Sequence, residues 1–464
     1  MKRAVAPRAA LAVTLAVAAV GFAGGTASAE DSHGRPGERH FYATKTPYAP
    51  QESLRAYRAA PEGFVPVFTE NVARHGSRAM SDAEDGDAVL AVLGSAGAQG
   101  ALTGLGARLA PQVRALLDGG ASIGFGNLAG LGVQEQQQTA LRMERRLPSL
   151  FSAIAAEQRP IEVRTSGVAR AVASANAFTG GLVAGAPALS SLIQAPVTDK
   201  DRLYFHKQPQ NAAYQAYVAG DPELAAVLAR IDGAPATATA AQHVVSRLFG
   251  RDFVAAMPAD DRISFARSLF ALYSAAPDLR VEVPGVDLDD FLPAEDAQWF
   301  SYLDDAEEFY EKGPAFSGRG ITYDMANVLL DDLFAQAEGK ADGSSDKGAV
   351  LRFTHAEEVE PLAVLLGLPG STEPADPARP YTYRNNDWRG ATVAPMAANV
   401  QWDLYAGAVP GGKGKKPAAA EGTRYLVRML YNEKETAFKA SCKPIAKGSY
   451  FYDLDELERC FDRG

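Results

Sequence analysis

The segment Arg74-His75-Gly76-Ser77-Arg78 sets one imidazole between two guanidinium groups. A neutral imidazole is a competent nucleophile toward phosphorus, and the phosphohistidine it forms can be hydrolysed by water. A phosphoryl group in transfer spreads negative charge over its oxygens, so fixed cationic donors stabilise it more than covalent help does. Guanidinium forks match phosphate oxygens in a bidentate way that lysine does not. Gly76 would let a ligand approach the backbone with no Cβ in the way. Taken as a bare Arg-His-Gly tripeptide, the same residues would equally suit a surface turn with solvated charges.

The chain has six histidines, and a second one begins His355-Ala356-Glu357. When a P–O bond breaks, the leaving oxygen needs a proton, and Glu357 could supply it. A carboxyl beside a dianionic substrate would have its pKa raised and would stay protonated at mildly acidic pH. Glu358 and Glu360 are rival acids, or the exposed first turn of a helix Val359–Leu366. A third arginine, Arg170, falls at the start of a predicted helix, where the amino terminus also favours anions. Arg164 competes with it from the same region.

Both chemistry-bearing segments follow predicted strands. Residues 63–68 read as a buried strand leading toward Arg74, and residues 349–354 as another ending just before His355. Ligand sites in open α/β sheets gather at the carboxyl ends of strands, which is where the two histidines would fall. Further strands are expected at 161–164, in the apolar segment ending at Tyr405, and at 424–431. Ser166 is expected to cap a helix over 168–178. Residues 84–150 suggest helices separated by glycine turns. Residues 205–335 read as mostly helical, and Asp304, Asp305, Glu307 and Glu308 there as a solvated helix face. The predicted class is therefore α/β: a sheet domain built from both ends of the chain (30–204 and 336–464, with a helical insertion at about 84–150), interrupted by a mostly helical domain at 205–335. The Gly/Lys-rich loop 407–416 reads as a hairpin tip.

Residues 1–29 start basic (Lys2, Arg3, Arg8), continue apolar and end Ala27-Ser28-Ala29. This is a signal-peptide pattern, with a retained anchor as the alternative, and it predicts a secreted protein free of the membrane after leader cleavage. In that oxidising setting Cys442 and Cys460, the two cysteines of the chain, read as one disulfide rather than two buried thiols. The net charge of −10 argues against nucleic acid or anionic membrane as partner. It leaves room for a small anionic ligand in a cleft lined by arginines. No cluster of histidines and carboxylates has metal-ligand spacing, so no metal centre is predicted.

Together, Arg74–Arg78 and the later His355-Ala356-Glu357 resemble branch 2 of the histidine phosphatase superfamily, the histidine acid phosphatases and phytases. The glutamate of His-Ala-Glu resembles the multiple inositol polyphosphate phosphatase subgroup. Similar segments are Thr44-Lys45-Thr46-Pro47-Tyr48, Leu351–Thr354 with Pro361-Leu362, Ala394–Asn399 and Tyr431-Asn432-Glu433. The likeness spans most of residues 41–460 and is loose in the helical middle. It implies His75 as nucleophile, with Arg74, Arg78, Arg170 and His355 holding the phosphate and Glu357 donating the proton. No metal or other cofactor is implied. Lys45 and Lys207 are the implied extra contacts for a multiply phosphorylated ring. The implied substrate is inositol hexakisphosphate or a related polyphosphate. A broad acid phosphatase acting on sugar or other small phosphate esters, and a non-catalytic phosphate-binding protein, are the alternatives. Met80, where many relatives carry proline, and Gly167, where acidic residues are frequent, depart from the family pattern.

Overall fold

The computed structural model describes residues 40–408 and 422–463. The expected leader, and the expected hairpin tip beyond residue 408, lie outside the described residues.

The centre is an eight-stranded mixed sheet. Its strands are β1 (Phe64–Arg74), β2 (Ile161–Thr165), β3 (Val197–Thr198), β4 (Ala349–Thr354), β5 (Asn399–Ala408), β6 (Thr423–Tyr431), β7 (Lys434–Thr436) and β8 (Phe451–Asp453). They run in the order β3-β2-β4-β1-β5-β6-β7, with β8 also on β6. The β3-β2-β4-β1 half is parallel, and β5 to β8 add antiparallel to it. Helices occupy most of the chain between β3 and β4, which gives the expected α/β class with a helical insertion.

β4 shows why this half reads as continuous strand. All six of its residues are buried, as expected of a parallel strand covered on both faces. Leu351 and Phe353 pack on one face with Val163 and with Phe178 of helix Ala169–Gly185. Val350 faces the other way, into the core shared with Val359 and Leu362 of helix Ala356–Leu366 and with the helical insertion.

β1 runs six residues beyond the 63–68 segment. Its second half is polar, so hydrophobic pattern alone stops short of it. Three of its polar side chains find partners across the sheet: Thr69 Oγ1 donates to Asp403 Oδ1 (2.9 Å), Asn71 Oδ1 accepts from Arg352 N (3.0 Å), and Glu70 Oε2 accepts from Arg352 Nη1 (2.8 Å), while Glu70 Oε1 has no partner among the described residues. Such partners offset most of the cost of burying a polar strand.

One further expectation is corrected and one is met. Helix Ala294–Glu311 does not present a fully solvated acidic face: Asp305 is buried, Asp304 and Glu308 are half-buried, and Glu307 is exposed. Tyr383 OH donates to Asp305 Oδ2 at 2.5 Å, which is how a carboxyl is kept inside. Cys442 and Cys460 form a disulfide.

Candidate active site

The site begins as a matter of register. β1 and β4 are parallel neighbours, with Arg74 opposite Thr354. The next residue on each strand is a histidine, so His75 and His355 emerge side by side at the carboxyl ends. Their ring centres are 5.4 Å apart in an edge-to-face arrangement, and both side chains are buried. The backbone fixes the pair, because His75 N donates to Thr354 O (2.9 Å) and Ala397 N donates to His75 O (2.9 Å).

The tautomer of His75 follows from its neighbour. Nδ1 lies 2.9 Å from the carbonyl of Gly76, which can only accept, so Nδ1 carries the hydrogen. Nε2 is left with its lone pair. Burial, then the charges of Arg74, His355, Arg170 and Arg78, push the His75 pKa well below its usual value. A neutral ring is the nucleophilic form. His355 is lowered to about 3, by burial first and by Arg170 next. Ser166 Oγ meets His355 Nε2 at 2.8 Å, while the buried Nδ1 of His355 has no hydrogen-bond partner among the described residues. Ser166 Oγ also accepts from Val168 N (3.3 Å), but it is not the expected cap: the helix starts at Ala169 with Val168 as its N-cap, and no side chain caps it.

Three guanidinium groups surround the pair. Arg74 is buried and anchored on the carbonyls of Thr44 and Ala394. Arg78 donates to Ala79 O at 2.8 Å. Arg170 sits in the first turn of helix Ala169–Gly185, and its buried Nε has no partner among the described residues. The pKa of Arg78 is lowered to about 10 by burial and then by Arg170 and Arg74. Mutual repulsion of this kind marks a pocket whose charge an anion would balance. Arg164, the rival of Arg170, is committed elsewhere: it forks onto Asp332 at 2.9 and 3.0 Å and also pairs with Glu162.

The acids separate as clearly. Glu358 is fully buried and accepts from His206 Nδ1 (2.6 Å) and Thr354 Oγ1 (2.8 Å), so it braces the strand end. Glu360 is fully buried too, so neither forms an exposed first turn; the helix starts earlier, at Ala356. Glu357 remains, half-buried, with Oε1 3.8 Å from Lys312 Nζ. Its protonation differs from the expected raised pKa. Burial alone would raise it, but Lys312, His206 and His355 outweigh that and hold the carboxyl well below the usual range. The expectation assumed a phosphate dianion beside Glu357, whereas its nearest charges here are cationic.

Lys45 lies in a cavity of about 260 Å³ shared with Arg78, Met80 and Asp278, its Nζ 3.2 Å from Ser274 Oγ. Lys207 is exposed at the end of the turn Phe205–Lys207.

Several supporting residues escaped sequence reasoning. Glu135, on helix Gly130–Arg146, accepts from Ser77 N (2.7 Å), Ser77 Oγ (2.9 Å) and Tyr48 N (2.8 Å), tying the histidine loop to the segment around Lys45. Gln136 donates to Arg74 O (2.9 Å), and Ser174 Oγ accepts from Gly76 N (3.1 Å). A Cβ on Gly76 would come within 2.6 Å of the Gly132 backbone, so the loop and this helix meet with no room for side chains. A Glu-Gln pair buried within an otherwise amphipathic helix is the one local signal of this role. Among the described residues, one group, His243, Glu295 and Asp296 in the helical insertion, brings enough donors together for a metal ion. It shares no residue with the histidine pair.

The histidine phosphatase superfamily (branch 2) matches residues 70–432. The chain is similar to the crystal structure of a Bifidobacterium longum multiple inositol polyphosphate phosphatase in complex with phosphate. Identity is 32%, covering 92% of this chain and 98% of that one, with a TM-score of 0.84. The structure of the B. longum protein with inositol hexasulfate aligns at 30% identity over 91% and 97% of the two chains, with a TM-score of 0.82. Multiple inositol polyphosphate phosphatase 1 of Gallus gallus is 25% identical over 356 residues, 72% of this chain and 70% of that protein.

Proposed function

The chain belongs to branch 2 of the histidine phosphatase superfamily, and from that premise we propose that it hydrolyses inositol polyphosphates, inositol hexakisphosphate among them, through a phosphohistidine at His75. The observation that carries this reading is the place of His75: its Nδ1 lies 2.9 Å from the Gly76 carbonyl, which leaves Nε2 as the attacking nitrogen, and burial with the charges of Arg74, His355, Arg170 and Arg78 pushes its pKa down.

In the first step the Nε2 lone pair attacks phosphorus. The P–N bond forms as the P–O bond to the inositol oxygen breaks, and that oxygen takes a proton from Glu357. The guanidinium groups hold the equatorial oxygens of the phosphoryl group, and His355 adds a donor. In the second step water attacks phosphorus while Glu357 accepts its proton, and the P–N bond breaks to return His75. Lys45, which lines the same cavity as Arg78, meets a further phosphate of the ring in this reading. Lys207 is assigned to the outer rim. This mechanism uses no metal or other cofactor.

Export is part of the proposal. The leader-like segment and the Cys442–Cys460 disulfide both support it, as disulfides persist in oxidising compartments. Among the described residues no helix is long and apolar enough to cross a membrane.

The test is phosphate release from inositol hexakisphosphate and from simple sugar phosphates, with chelator present. Release from the hexakisphosphate supports the reading. Release from simple esters alone would make the protein a broad acid phosphatase instead.

A further inference from the structure

Glu357 is not alone at the pocket edge. Lys312, at the carboxyl end of helix Ala294–Glu311, reaches Glu308 Oε2 at 2.6 Å and Glu357 Oε1 at 3.8 Å. The ammonium is mostly buried, with 15% of its side chain exposed against 30% for Glu357. Lysine at a helix carboxyl end also complements the helix dipole. One cation thus bridges an anchoring carboxylate and the half-buried Glu357.

We propose that Lys312 is a positioning residue for the leaving-group acid: anchored on Glu308, it holds Glu357 at the pocket in the free enzyme and passes to a substrate phosphate on binding, so that Glu357 carries the proton only when substrate is present. The inference rests on the phosphohistidine reading and adds to it how the acid is prepared.

The surroundings favour such an exchange. Lys312 is held firmly protonated: burial opposes its charge, but Glu308, Glu357 and Glu360 outweigh that. Facing Glu357 are His206 from the turn Phe205–Lys207 and His355 from the end of β4. Arg170 and Arg78 act on it across the pocket, and Glu311 from the helix that ends at Lys312. An incoming phosphate neutralises the arginines and competes for the ammonium, whose flexible stem and three donors let it turn. Glu357 is then a carboxylate among anions, a setting that favours its neutral form. The proton comes from solvent to a Glu357 oxygen, then passes to the inositol oxygen as the P–O bond breaks.

The experiment is the pH profile of kcat/KM on one alkyl phosphomonoester, compared among wild type, Lys312→Gln and Lys312→Arg. The substrate's own ionisation is common to all three. Without the cation, Glu357 keeps its proton to higher pH, so the basic limb of Lys312→Gln should move up by about one unit. Lys312→Arg should keep the wild-type limb. Glu308→Gln should move the limb down, as the ammonium is left to Glu357, and this variant carries the test should Lys312→Gln fail to fold. Superimposable limbs in wild type and the folded variants would overturn the inference, as would equal shifts in Lys312→Gln and Lys312→Arg. Failure of the underlying reading looks different: activity would survive His75→Ala, whatever the limbs do.

Discussion

Ser166 Oγ lies 2.8 Å from His355 Nε2, a contact that spans from the end of β2 to the end of β4 and sets the ring facing His75. His355 carries no other hydrogen bond on its ring among the described residues, since Nδ1 is unpartnered. Removing the hydroxyl leaves the ring free to turn. Ser166→Ala should lower kcat about tenfold, in line with roughly 1.4 kcal/mol for one lost contact in the transition state, with KM changed less. Steady-state kinetics checks this, and an unchanged kcat would show that Ser166 does not orient the ring.

The buried histidines give the protein a pH signature. The folded-state pKa of His355 is about 3, below its ordinary 6.5. Between those values the unfolded chain binds more protons, so stability falls as pH falls through that window. Each such group contributes a slope of up to roughly 1.4 kcal/mol per pH unit. Denaturant unfolding at a series of pH values should show a shallower decline for His355→Gln than for wild type. Parallel declines would mean that His355 titrates normally.

Gly132 lies outside every motif, yet an added Cβ would stand 2.2 Å from Ser77 O. Backbone cannot yield that distance cheaply, so Gly132→Ala should push the loop that carries His75 out of place. The expected result is at least a hundredfold loss of kcat/KM, on the scale that about 1 Å of misplacement costs. Wild-type kinetics in this variant would contradict the close approach.

Arg352 is fully buried on β4 and pairs with Glu70 (2.8 Å) and Asp332 (2.6 Å). Removing one partner from such a network leaves uncompensated buried charge and costs about 3–5 kcal/mol. Arg352→Leu should show that loss in denaturant unfolding. Burial already raises the pKa of Glu70 to about 8 even with Arg352 beside it. Without Arg352 that pKa should rise further, so the variant's loss should be smaller below about pH 8, where Glu70 is neutral, than above it. A loss that does not change with pH would contradict this.

Much of the fold was legible because its parallel strands are apolar runs ending at polar, chemistry-bearing residues. β4 coincides with the 349–354 segment for that reason. The second half of β1 was not legible, since Thr69, Glu70 and Asn71 find their partners on β4 and β5, far away in sequence. The placement of His75, His355 and Arg170 followed from strand ends and one helix start. What sequence could not order were groups of like chemistry a residue or two apart. Glu357, Glu358 and Glu360 differ in what each meets in space, and Lys312 arrives from another helix altogether. The acidic run at 304–308 failed for the same reason, because helical spacing does not tell what covers a face.

If His75 carries the phosphoryl group, the covalent intermediate can be trapped on it. The direct measurement is rapid quench of the enzyme with inositol hexakisphosphate, alkaline work-up to preserve phosphohistidine, and mass spectrometry of the peptides. The expected result is one phosphoryl group on the peptide containing His75, and neither adduct nor phosphate release with His75→Ala. Steady phosphate release by His75→Ala, or a phosphoryl group on another residue at the same yield, would contradict it.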